Sequence, residues 1–485
     1  MDWQIILAVI VVYFIVVLTI AWKGGSGKPS SIDEYVAANR SLGFIVMYFL
    51  MGGAVYSAFA YLGGPGWAYS RGGASYYILA YGALGMMSWW LWAPRTLRAG
   101  KKFGFVTQAQ LYAGRFQSKT LSVLVAIVSI MAFIQYITIQ MKGSGYILEL
   151  ASGGRIPYEV GVLIAYLVVL VYVFFGGVRS VAWTNVFQGA FMVLTAWILG
   201  LYFIFTLYDG PADMFRKIAE AKPMHLLVGE GTSMSKMAFA SAVIVSFLGL
   251  PMWPHLFMKA YTAKDEKTIK QTIVSYPTFA VFLIPVLFIG FAGILQVSPE
   301  QLGESDRILP WMFTNANFPP LAIGLVLAAA LAAAMSTQDA VTHAAGSIFA
   351  QDFVEVLRKK KHTSEEATKV IRISVVAFGA VSYFVAVFGG ESLVALLLGA
   401  YGSIVQFLPL TVATFFSRRA TKQGAICGFA AGVTANFLFS LGVLPLLWDI
   451  HAGMLGLTIN VIVFIVVSAL TQPMDEKNVR EYLEI

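Results

Sequence analysis

Long apolar stretches recur along nearly the whole chain, and this recurrence restricts the fold more than any other feature of the sequence. About 20 apolar residues cross a bilayer as a helix. Only 12% of the 485 residues are charged, against about 25% in soluble domains. We therefore predict an all-α membrane protein in which residues 1–485 form a single transmembrane domain. Its thirteen predicted spans are 5–22, 43–68, 74–94, 121–141, 157–176, 184–207, 237–256, 273–296, 320–341, 371–389, 393–416, 424–445 and 453–471.

The distribution of basic residues predicts how these spans are oriented. Most of the 33 Lys and Arg residues lie in alternate loops, beginning after the first span and ending with the C-terminal tail. Cytoplasmic loops are enriched in Lys and Arg, so we predict an N-terminus outside and a C-terminus inside. The start of the chain lacks the basic region and cleavage site of a signal peptide, and the first span is expected to be retained. The net charge of +8 thus reflects topology, and no nucleic-acid partner is expected.

Two of the predicted spans are interrupted by helix-weakening residues. The second contains Gly52, Gly53 and the run GGPG at 63–66, and the seventh contains Pro251 and Pro254. Glycine loosens a helix and proline removes a backbone donor. Such breaks persist in a membrane only where they line protein or water. The two spans are five apart, so each could open a five-helix block with the second block inverted, a pattern typical of transporter binding sites.

The ninth span changes from apolar to polar at Ser336, Thr337, Gln338 and Asp339. Polar groups are costly in hydrocarbon, so they are expected to face a cavity, a cation or another helix. Hydroxyl oxygens beside freed carbonyls suit a hard cation such as Na⁺. Alternatively, the two hydroxyls bond back to the preceding turn and Asp339 lies near the headgroups. The residues alone leave both interpretations open.

The sequence gives no indication of an enzyme. It has one cysteine and five dispersed histidines. The spans contain no paired carboxylates, no nucleophile with a base and no metal cluster. A transporter-like sensor is also disfavoured, because the tail after residue 471 is short.

Four motifs together resemble the sodium/solute symporter family, in its bacterial members. They are GGPGWAY at 63–69, WTNVFQGA at 183–190, WPHLFMKAY at 253–261 and LAAAMST at 331–337. The resemblance implies a five-plus-five inverted-repeat (LeuT-type) core, with repeats at 43–207 and 237–416. It also implies a multi-pass protein of the cell inner (plasma) membrane that is driven by the Na⁺ gradient.

The resemblance further implies a set of Na⁺ ligands. In such symporters the main Na⁺ lies between the first helix of repeat one and the third helix of repeat two. By position, its ligands here are the carbonyls of Gly53, Tyr56 and Ala333 and the side chains of Ser336 and Thr337.

The chain departs from the family pattern at two positions. Many members have Asp where this chain has Asn185, and Asp339 falls where some members with a second cation site have Ser. We hypothesise that the carboxylate has moved from one wall of a second cation site to the other. Asp339 and Asn185 would then form a second cation or proton site. The alternative is a solvated carboxylate on the cytoplasmic exit path.

The resemblance favours a small organic monocarboxylate as substrate, such as pyruvate, lactate, acetate or propionate. A pantothenate carrier is the first alternative and a proline carrier the second, since proline carriers differ at Val55 and Trp253. No Lys or Arg is predicted mid-span, so unwound backbone amides and Na⁺ itself would hold the carboxylate. Na⁺, the substrate and the lipid bilayer are the expected partners of a functional monomer, and His255 is expected to be a gate or packing group. The candidate substrate-binding residues are Tyr56, Ser57, Phe59, Ala60, Gln135, Tyr136, Ser246, Phe247, Trp253, Tyr401 and Gln406.

Overall fold

The computed structural model describes residues 2–24, 31–315, 318–359, 362–390 and 393–485. Within these ranges the regular structure is helical and contains no strand, and one isolated bridge joins Leu42 to Ala263. The α-helices are Trp3–Gly24, Ile32–Ala37, Phe44–Val55, Gly64–Arg71, Tyr76–Leu84, Trp89–Phe103, Gln108–Phe116, Lys119–Ala151, Tyr158–Thr195, Leu201–Leu207, Pro211–Ala221, Lys236–Gly249, Pro254–Phe257, Lys259–Thr262, Glu266–Ala280, Leu283–Gly293, Pro299–Leu302, Ile308–Asn315, Pro320–Ile348, Glu355–Arg358, Ser364–Phe388, Leu393–Ile404, Leu408–Phe416, Lys422–Ser440, Ala452–Leu470 and Glu476–Leu483.

The predicted all-helical membrane architecture is confirmed, whereas the number of spans is not settled by helix length and composition. Eight helices among the described residues are long and apolar enough to cross a membrane, and ten are if each of two bent pairs is one span. The apolar helix Tyr158–Phe174 is too short to be included. The count of thirteen therefore stays a prediction.

The first broken span consists of Phe44–Val55 and Phe59–Leu84, which meet at 58°. Its break lies at residues 56–58, after the Gly52-Gly53 pair and not at it. Gly52 lies within the helix, where a Cβ atom would approach the ring of Phe279 to 2.5 Å. This glycine therefore serves close packing, and the break next to it requires another explanation.

The second broken span consists of Lys236–Met252 and Pro254–Thr262, which meet at 47°. Trp253 forms the break, with φ −53° and ψ 122°. The residue before a proline is disfavoured in the helical region, and Pro254 itself supplies no backbone donor. The break therefore lies where the sequence predicts it.

The helix Pro320–Ile348, here called the hydroxyl helix, is buried along most of its length and continues through a π turn to Arg358. It packs against Tyr158–Thr195, against Lys119–Ala151 and against Trp3–Gly24. Its alanine-rich first half permits this close approach. The helix extends beyond the predicted span 320–341. The polar residues after Thr337 are buried in the protein, so the loss of apolar character there does not mark the end of the helix.

The helix Tyr158–Thr195, here called the kinked helix, is interrupted at Gly177, which has φ +57° and ψ −161°. A side chain is strained in this backbone conformation. A Cβ atom there would also approach the Tyr35 ring to 2.7 Å. The two predicted spans 157–176 and 184–207 thus follow one another across a kink.

Candidate functional site

The hydroxyls of the hydroxyl helix reach the first broken span just before its break. The Ser336 hydroxyl lies 2.9 Å from the Gly53 carbonyl oxygen and 3.2 Å from that of Ala333. The Thr337 hydroxyl donates to the same Gly53 carbonyl at 3.0 Å. Both residues are fully buried. Four of the five predicted Na⁺ ligands therefore lie together, and the hydroxyls do more than bond back to their own helix.

These oxygens have the chemistry that Na⁺ requires. All are neutral, and hydroxyl and carbonyl oxygens are ligands of hard cations. Tyr56, the fifth predicted ligand, lies at the break with φ −89° and ψ 88°, so its carbonyl leaves the helical direction. Among the described residues, neither Ser336 nor Thr337 donates a hydrogen bond to this carbonyl. The cluster of Gly53, Ala333, Ser336 and Thr337 fits Na⁺, and the placement of Tyr56 is compatible with it.

Asp339 lies one turn farther along the hydroxyl helix and is 0% exposed. The Tyr172 hydroxyl donates to its Oδ2 at 3.0 Å and the Thr184 hydroxyl at 3.3 Å. The Asn185 amide donates to both carboxylate oxygens, at 3.1 and 3.2 Å. The kinked helix thus supplies three neutral donors. The carboxylate is buried and bonded to protein groups, so it does not match the alternative interpretation of a solvated carboxylate on an exit path.

Asn185 connects the two polar clusters. Its amide nitrogen binds Asp339, while its Oδ1 is buried without a hydrogen-bond partner among the described residues. That oxygen lies beside Gly53, where an added Cβ atom would approach it to 2.5 Å. An unpaired buried acceptor next to a carboxylate and several neutral oxygens is an environment that favours a cation.

Side chains from helix Lys119–Ala151 stabilise the break in the first broken span. The Tyr136 hydroxyl donates to the Val55 carbonyl at 3.3 Å. Gln140 accepts the Ala58 N–H at 2.9 Å. Ser57 accepts the Phe59 N–H at 3.2 Å and begins the second half of the span. Buried backbone groups freed by a break require such partners, so these contacts explain why the break lies at residues 56–58.

Gln140 was missed by sequence reasoning, which selected Gln135 instead. Gln135 is half-buried and makes no hydrogen bond with the described residues, whereas Gln140 is fully buried. The signal was present, because Gln140 lies four residues after Tyr136 and four residues return to the same helix face. Gln135 lies on a different face.

Aromatic rings surround the break in the second broken span. The Trp253 ring centroid lies 4.8 Å from that of Tyr136 and 5.7 Å from that of Tyr401. Tyr401 also contacts Tyr81 at 5.5 Å. The Trp253 indole N–H and the Ser246 hydroxyl are buried without partners among the described residues. The structure therefore brings the predicted residues Tyr136, Trp253 and Tyr401 together, and adds Tyr81.

Other predicted substrate residues have different surroundings. The Tyr56 hydroxyl donates to the Gly82 carbonyl at 2.8 Å, and Phe247 is only half-buried. Gln406 donates to the Gly453 carbonyl at 3.1 Å and accepts from Asn460 at 3.1 Å. These contacts join Gln406 to helix Ala452–Leu470. Phe59 and Ala60 are buried in the π turn that follows the first break.

Two buried lysines lie inside helices of the structure, just beyond the predicted ends of their spans. Lys142 is buried within helix Lys119–Ala151, where it donates to the Gly389 carbonyl at 3.3 Å. Lys259 is buried within the second half of the second broken span. Both were assigned to loops because the structural helices extend beyond the predicted boundaries at residues 141 and 256. His255 packs between Trp253 and Tyr136, with ring centroids 5.6 Å from each.

The sequence comparisons all relate this chain to symporters. The sequence model of the Sodium:solute symporter family matches residues 35–432. The uncharacterized symporter YhjB of Bacillus subtilis (strain 168) is 31% identical over 479 residues, covering 96% of this chain and 97% of that protein. The sodium/proline symporter of Staphylococcus aureus (strain JH9) is 26% identical over 491 residues, covering 97% and 93%.

A solved structure shares the fold. It is the substrate-bound outward-open state of a Na⁺-coupled sialic acid symporter, described as revealing a novel Na⁺ site. The TM-score is 0.80 at 18% identity, with 97% of this chain and 98% of that chain covered. These relatives and this structural neighbour are transporters and not enzymes.

Proposed function

The chain belongs to the sodium:solute symporter family, and from that premise we propose that it imports a small organic solute together with Na⁺ by alternating access. Family membership makes Na⁺ the coupling ion and the chain a multi-pass protein of the plasma membrane.

The Na⁺ site consists of the carbonyls of Gly53, Tyr56 and Ala333 and the hydroxyls of Ser336 and Thr337. The contact of both hydroxyls with the Gly53 carbonyl, at 2.9 and 3.0 Å, supports this assignment most strongly. Na⁺ held there joins the first broken span to the hydroxyl helix. An ion that binds one conformation better shifts the population toward that conformation, which couples ion binding to the arrangement of the helices.

The proposed topology has thirteen spans, an outside N-terminus and inverted repeats at 43–207 and 237–416. The two bent helix pairs, at 58° and 47°, would then be the first helices of the two repeats. Matching broken helices near a repeat interface are typical of transporter sites.

The proposed substrate carries a carboxylate. Among the described residues, the polar groups without partners at the second broken span include the Trp253 N–H, the Ser246 hydroxyl and the His255 ring nitrogens, and each of these residues can donate a hydrogen bond. An indole N–H can only donate, so a ligand there has to provide an acceptor. This chemistry suits a short monocarboxylate such as pyruvate, lactate, acetate or propionate, and also pantothenate.

Proline is a second candidate, favoured by a specific observation. The rings of Trp253, Tyr136 and Tyr401 lie close together, and aromatic faces attract cationic nitrogen groups. A zwitterion could place its carboxylate on the donors and its amine on these faces. The similarity to a sodium/proline symporter supports the same candidate.

Solute counterflow into proteoliposomes would decide among these substrates. Proteoliposomes that contain the purified protein would be preloaded in turn with pyruvate, acetate, pantothenate or proline. They should exchange the internal solute for labelled external solute only in the presence of Na⁺. Exchange of the monocarboxylates supports the main proposal, and exchange of proline alone replaces it with the second candidate. Exchange without Na⁺ would contradict the proposed coupling, and a pH gradient that replaced Na⁺ would indicate proton coupling.

We also propose a second cation or proton site at Asp339 and Asn185. The unpaired Asn185 Oδ1 and the buried carboxylate support it. Substituting Asp339→Asn should change the number of Na⁺ ions moved per solute or the Na⁺ dependence of uptake. If both stay as in the wild type, the second site does not exist.

A further inference from the structure

A run of exposed apolar residues, for which the proposed function gives no role, connects the helices Lys422–Ser440 and Ala452–Leu470. This run, here called the apolar tip, is LGVLPLLW at 441–448. Its large side chains are exposed, from 38% for Leu444 to 79% for Trp448. They belong to Leu441, Val443, Leu444, Leu446, Leu447 and Trp448. Extensive exposed apolar surface marks a site of interaction with a protein or a membrane.

The sequence around the apolar tip contains almost no charge. Between Lys422 and Asp475 the only Asp, Glu, Lys or Arg residue is Asp449. Connections that lie in water carry polar residues, and a run of exposed apolar residues is unfavourable there unless it has a function. The composition therefore indicates that the apolar tip is not surrounded by water alone.

The apolar tip lies at one end of a helix that can cross the membrane. Ala452–Leu470 is long and apolar enough to be a span, and it begins four residues after Trp448. Farther along this helix, Ile462 and Ile465 are also exposed. Tryptophan is enriched at the interface between a membrane and water. The lipid that covers the exposed side of the helix is therefore the occupant that continues onto the apolar tip.

Close packing holds the apolar tip at a fixed place relative to the rest of the protein. A Cβ atom at Gly428 would approach the Phe464 Cβ to 2.6 Å, so the two helices meet at a position that only a small residue permits. After the tip, the His451 N–H donates to the Ser241 hydroxyl at 3.0 Å, which ties the connection to the second broken span. The tip therefore cannot move toward or away from the membrane independently of these helices.

Backbone hydrogen bonds limit how deep the apolar tip can lie. The Leu444 N–H donates to the Leu438 carbonyl at 3.1 Å. Within the described part of the chain, the N–H groups of Leu446, Leu447 and Trp448 donate no hydrogen bond. Unpaired backbone groups are not tolerated in the hydrocarbon region, so these groups require water or the oxygens of lipid headgroups. Exposed apolar side chains on such a backbone fit the boundary between headgroups and acyl chains.

We propose that the apolar tip is a lipid-binding surface that lies in the membrane interface. Its side chains contact the upper part of the acyl chains, and its backbone faces the headgroups and water. Its partner is the lipid of the leaflet at this end of the two helices. The inference goes beyond the proposed function and requires neither the Na⁺ site nor a particular solute, so its failure would leave both unaffected.

A nitroxide label on the apolar tip would test this placement. The label is attached to Leu447→Cys in the background Cys427→Ala, which removes the single native cysteine. The full-length protein is reconstituted into vesicles of phosphatidylethanolamine and phosphatidylglycerol. Power-saturation EPR then compares collisions with O₂, which concentrates in lipid, and with a water-soluble nickel chelate. The label should be more accessible to O₂ than to the chelate.

The matched control is Leu227→Cys in the same background. Leu227 is 53% exposed and Leu447 is 50% exposed, but Leu227 lies in a connection that also contains the exposed residue Glu230. A label at position 227 should be more accessible to the nickel chelate than to O₂. The control therefore separates exposure to lipid from exposure to water at equal burial.

A second measurement needs no cysteine variant. In vesicles that contain lipids brominated on the upper acyl carbons, Trp448 should contribute to the quenching of tryptophan fluorescence. Trp448→Phe should therefore lose part of the quenching that the wild type shows. Equal fractional quenching in the two proteins would contradict the proposal.

The EPR outcomes are equally distinct. A label at position 447 that the nickel chelate reaches more readily than O₂ would place the apolar tip in water and overturn the proposal. A label that neither reagent reaches would show that protein covers the tip, which also overturns it. In that case, a disulfide between copies of the Leu447→Cys variant would identify a second copy of this chain as the partner.

Discussion

The two broken spans leave different hydrogen-bonding groups without partners near their breaks, among the residues that the structure describes. At the first break, protein side chains bind the freed backbone, and an acceptor beside Gly53, Asn185 Oδ1, is buried without a partner among the described residues. At the second, the groups without partners among the described residues include an obligate donor, the Trp253 N–H, beside the Ser246 hydroxyl and the His255 ring nitrogens, which can donate or accept. A surplus of acceptors favours a cation and a surplus of donors favours an anion. Two similar interruptions of a helix can therefore prepare two different ligand sites.

The largest expected effect tests the cation side. Ser336→Ala/Thr337→Ala removes two oxygens from the proposed site. A hydrogen bond or ligand contact to a charged group contributes about 1.5–3 kcal/mol. The Na⁺ concentration for half-maximal uptake should therefore rise about 10- to 100-fold or more. Ser347→Ala is the matched control, because its hydroxyl bonds back to the His343 carbonyl at 2.8 Å on the same helix. If the wild type and the double variant have the same Na⁺ dependence, Ser336 and Thr337 are not ligands of the coupling Na⁺.

A somewhat smaller effect tests the anion side. Trp253→Phe keeps an aromatic ring but removes the N–H donor, so the KM for a carboxylate solute should rise about 5- to 20-fold. The half-maximal Na⁺ concentration should change much less. Trp89→Phe removes another buried indole N–H outside this cluster and serves as the control. If the two variants have the same KM, the donor at the second break does not bind solute.

The contact between Gln140 and the Ala58 N–H is expected to stabilise the first break. Gln140→Leu leaves the Ala58 N–H without a partner, which costs about 1–3 kcal/mol. The Tm should fall by about 2–6 °C. The control is Gln135→Leu on the same helix, where a change within about 0.5 kcal/mol is expected. Equal Tm values for both variants would show that Gln140 does not stabilise the break.

The smallest expected effect concerns a second contact to the first broken span. Asp306, in the loop before the hydroxyl helix, accepts the Leu393 N–H at 2.8 Å. It also lies against Gly66, where a Cβ atom would approach its Oδ1 to 2.7 Å. Burial raises the pKa of Asp306 to about 6, from an ordinary 3.8, and Glu304 adds to this shift.

Because the folded chain holds this proton more tightly than the unfolded chain, Asp306 favours folding as the pH falls from about 6 toward 4. Its contribution is at most about 1.4 kcal/mol per pH unit. Thermal unfolding of wild type and Asp306→Asn across this range measures the difference, and the variant should gain less stability on acidification. Parallel pH profiles would contradict the shifted pKa.

The structure brings the predicted ion-side residues together more completely than the predicted solute-side residues, for a physical reason. Ser336, Thr337 and Asp339 are polar groups within an otherwise apolar helix, so their cost in hydrocarbon marks them without any knowledge of neighbours. Tyr136 and Trp253 belong to residue types that occur throughout membrane helices. Only packing shows which rings meet.

Residues whose role depends on tertiary partners were misplaced or missed. The rule that a buried amide requires partners holds for Gln406, but Asn460 and Gly453 are those partners. Gly52 and Gly53 predicted a break correctly but not its position, which Tyr136, Gln140 and Ser57 determine. Lys259 was hidden because the hydropathy of its segment falls before the helix ends.

The kink at Gly177 lies between the residues that bind Asp339. Tyr172 lies before the kink and Thr184 and Asn185 lie after it, yet all three hold the same carboxylate. Any rotation about Gly177 would change the separation of these donors and would break some of their bonds to the carboxylate. Asp339 therefore bridges the two halves of the kinked helix, and loss of its carboxylate would remove contacts on both sides of the kink at once.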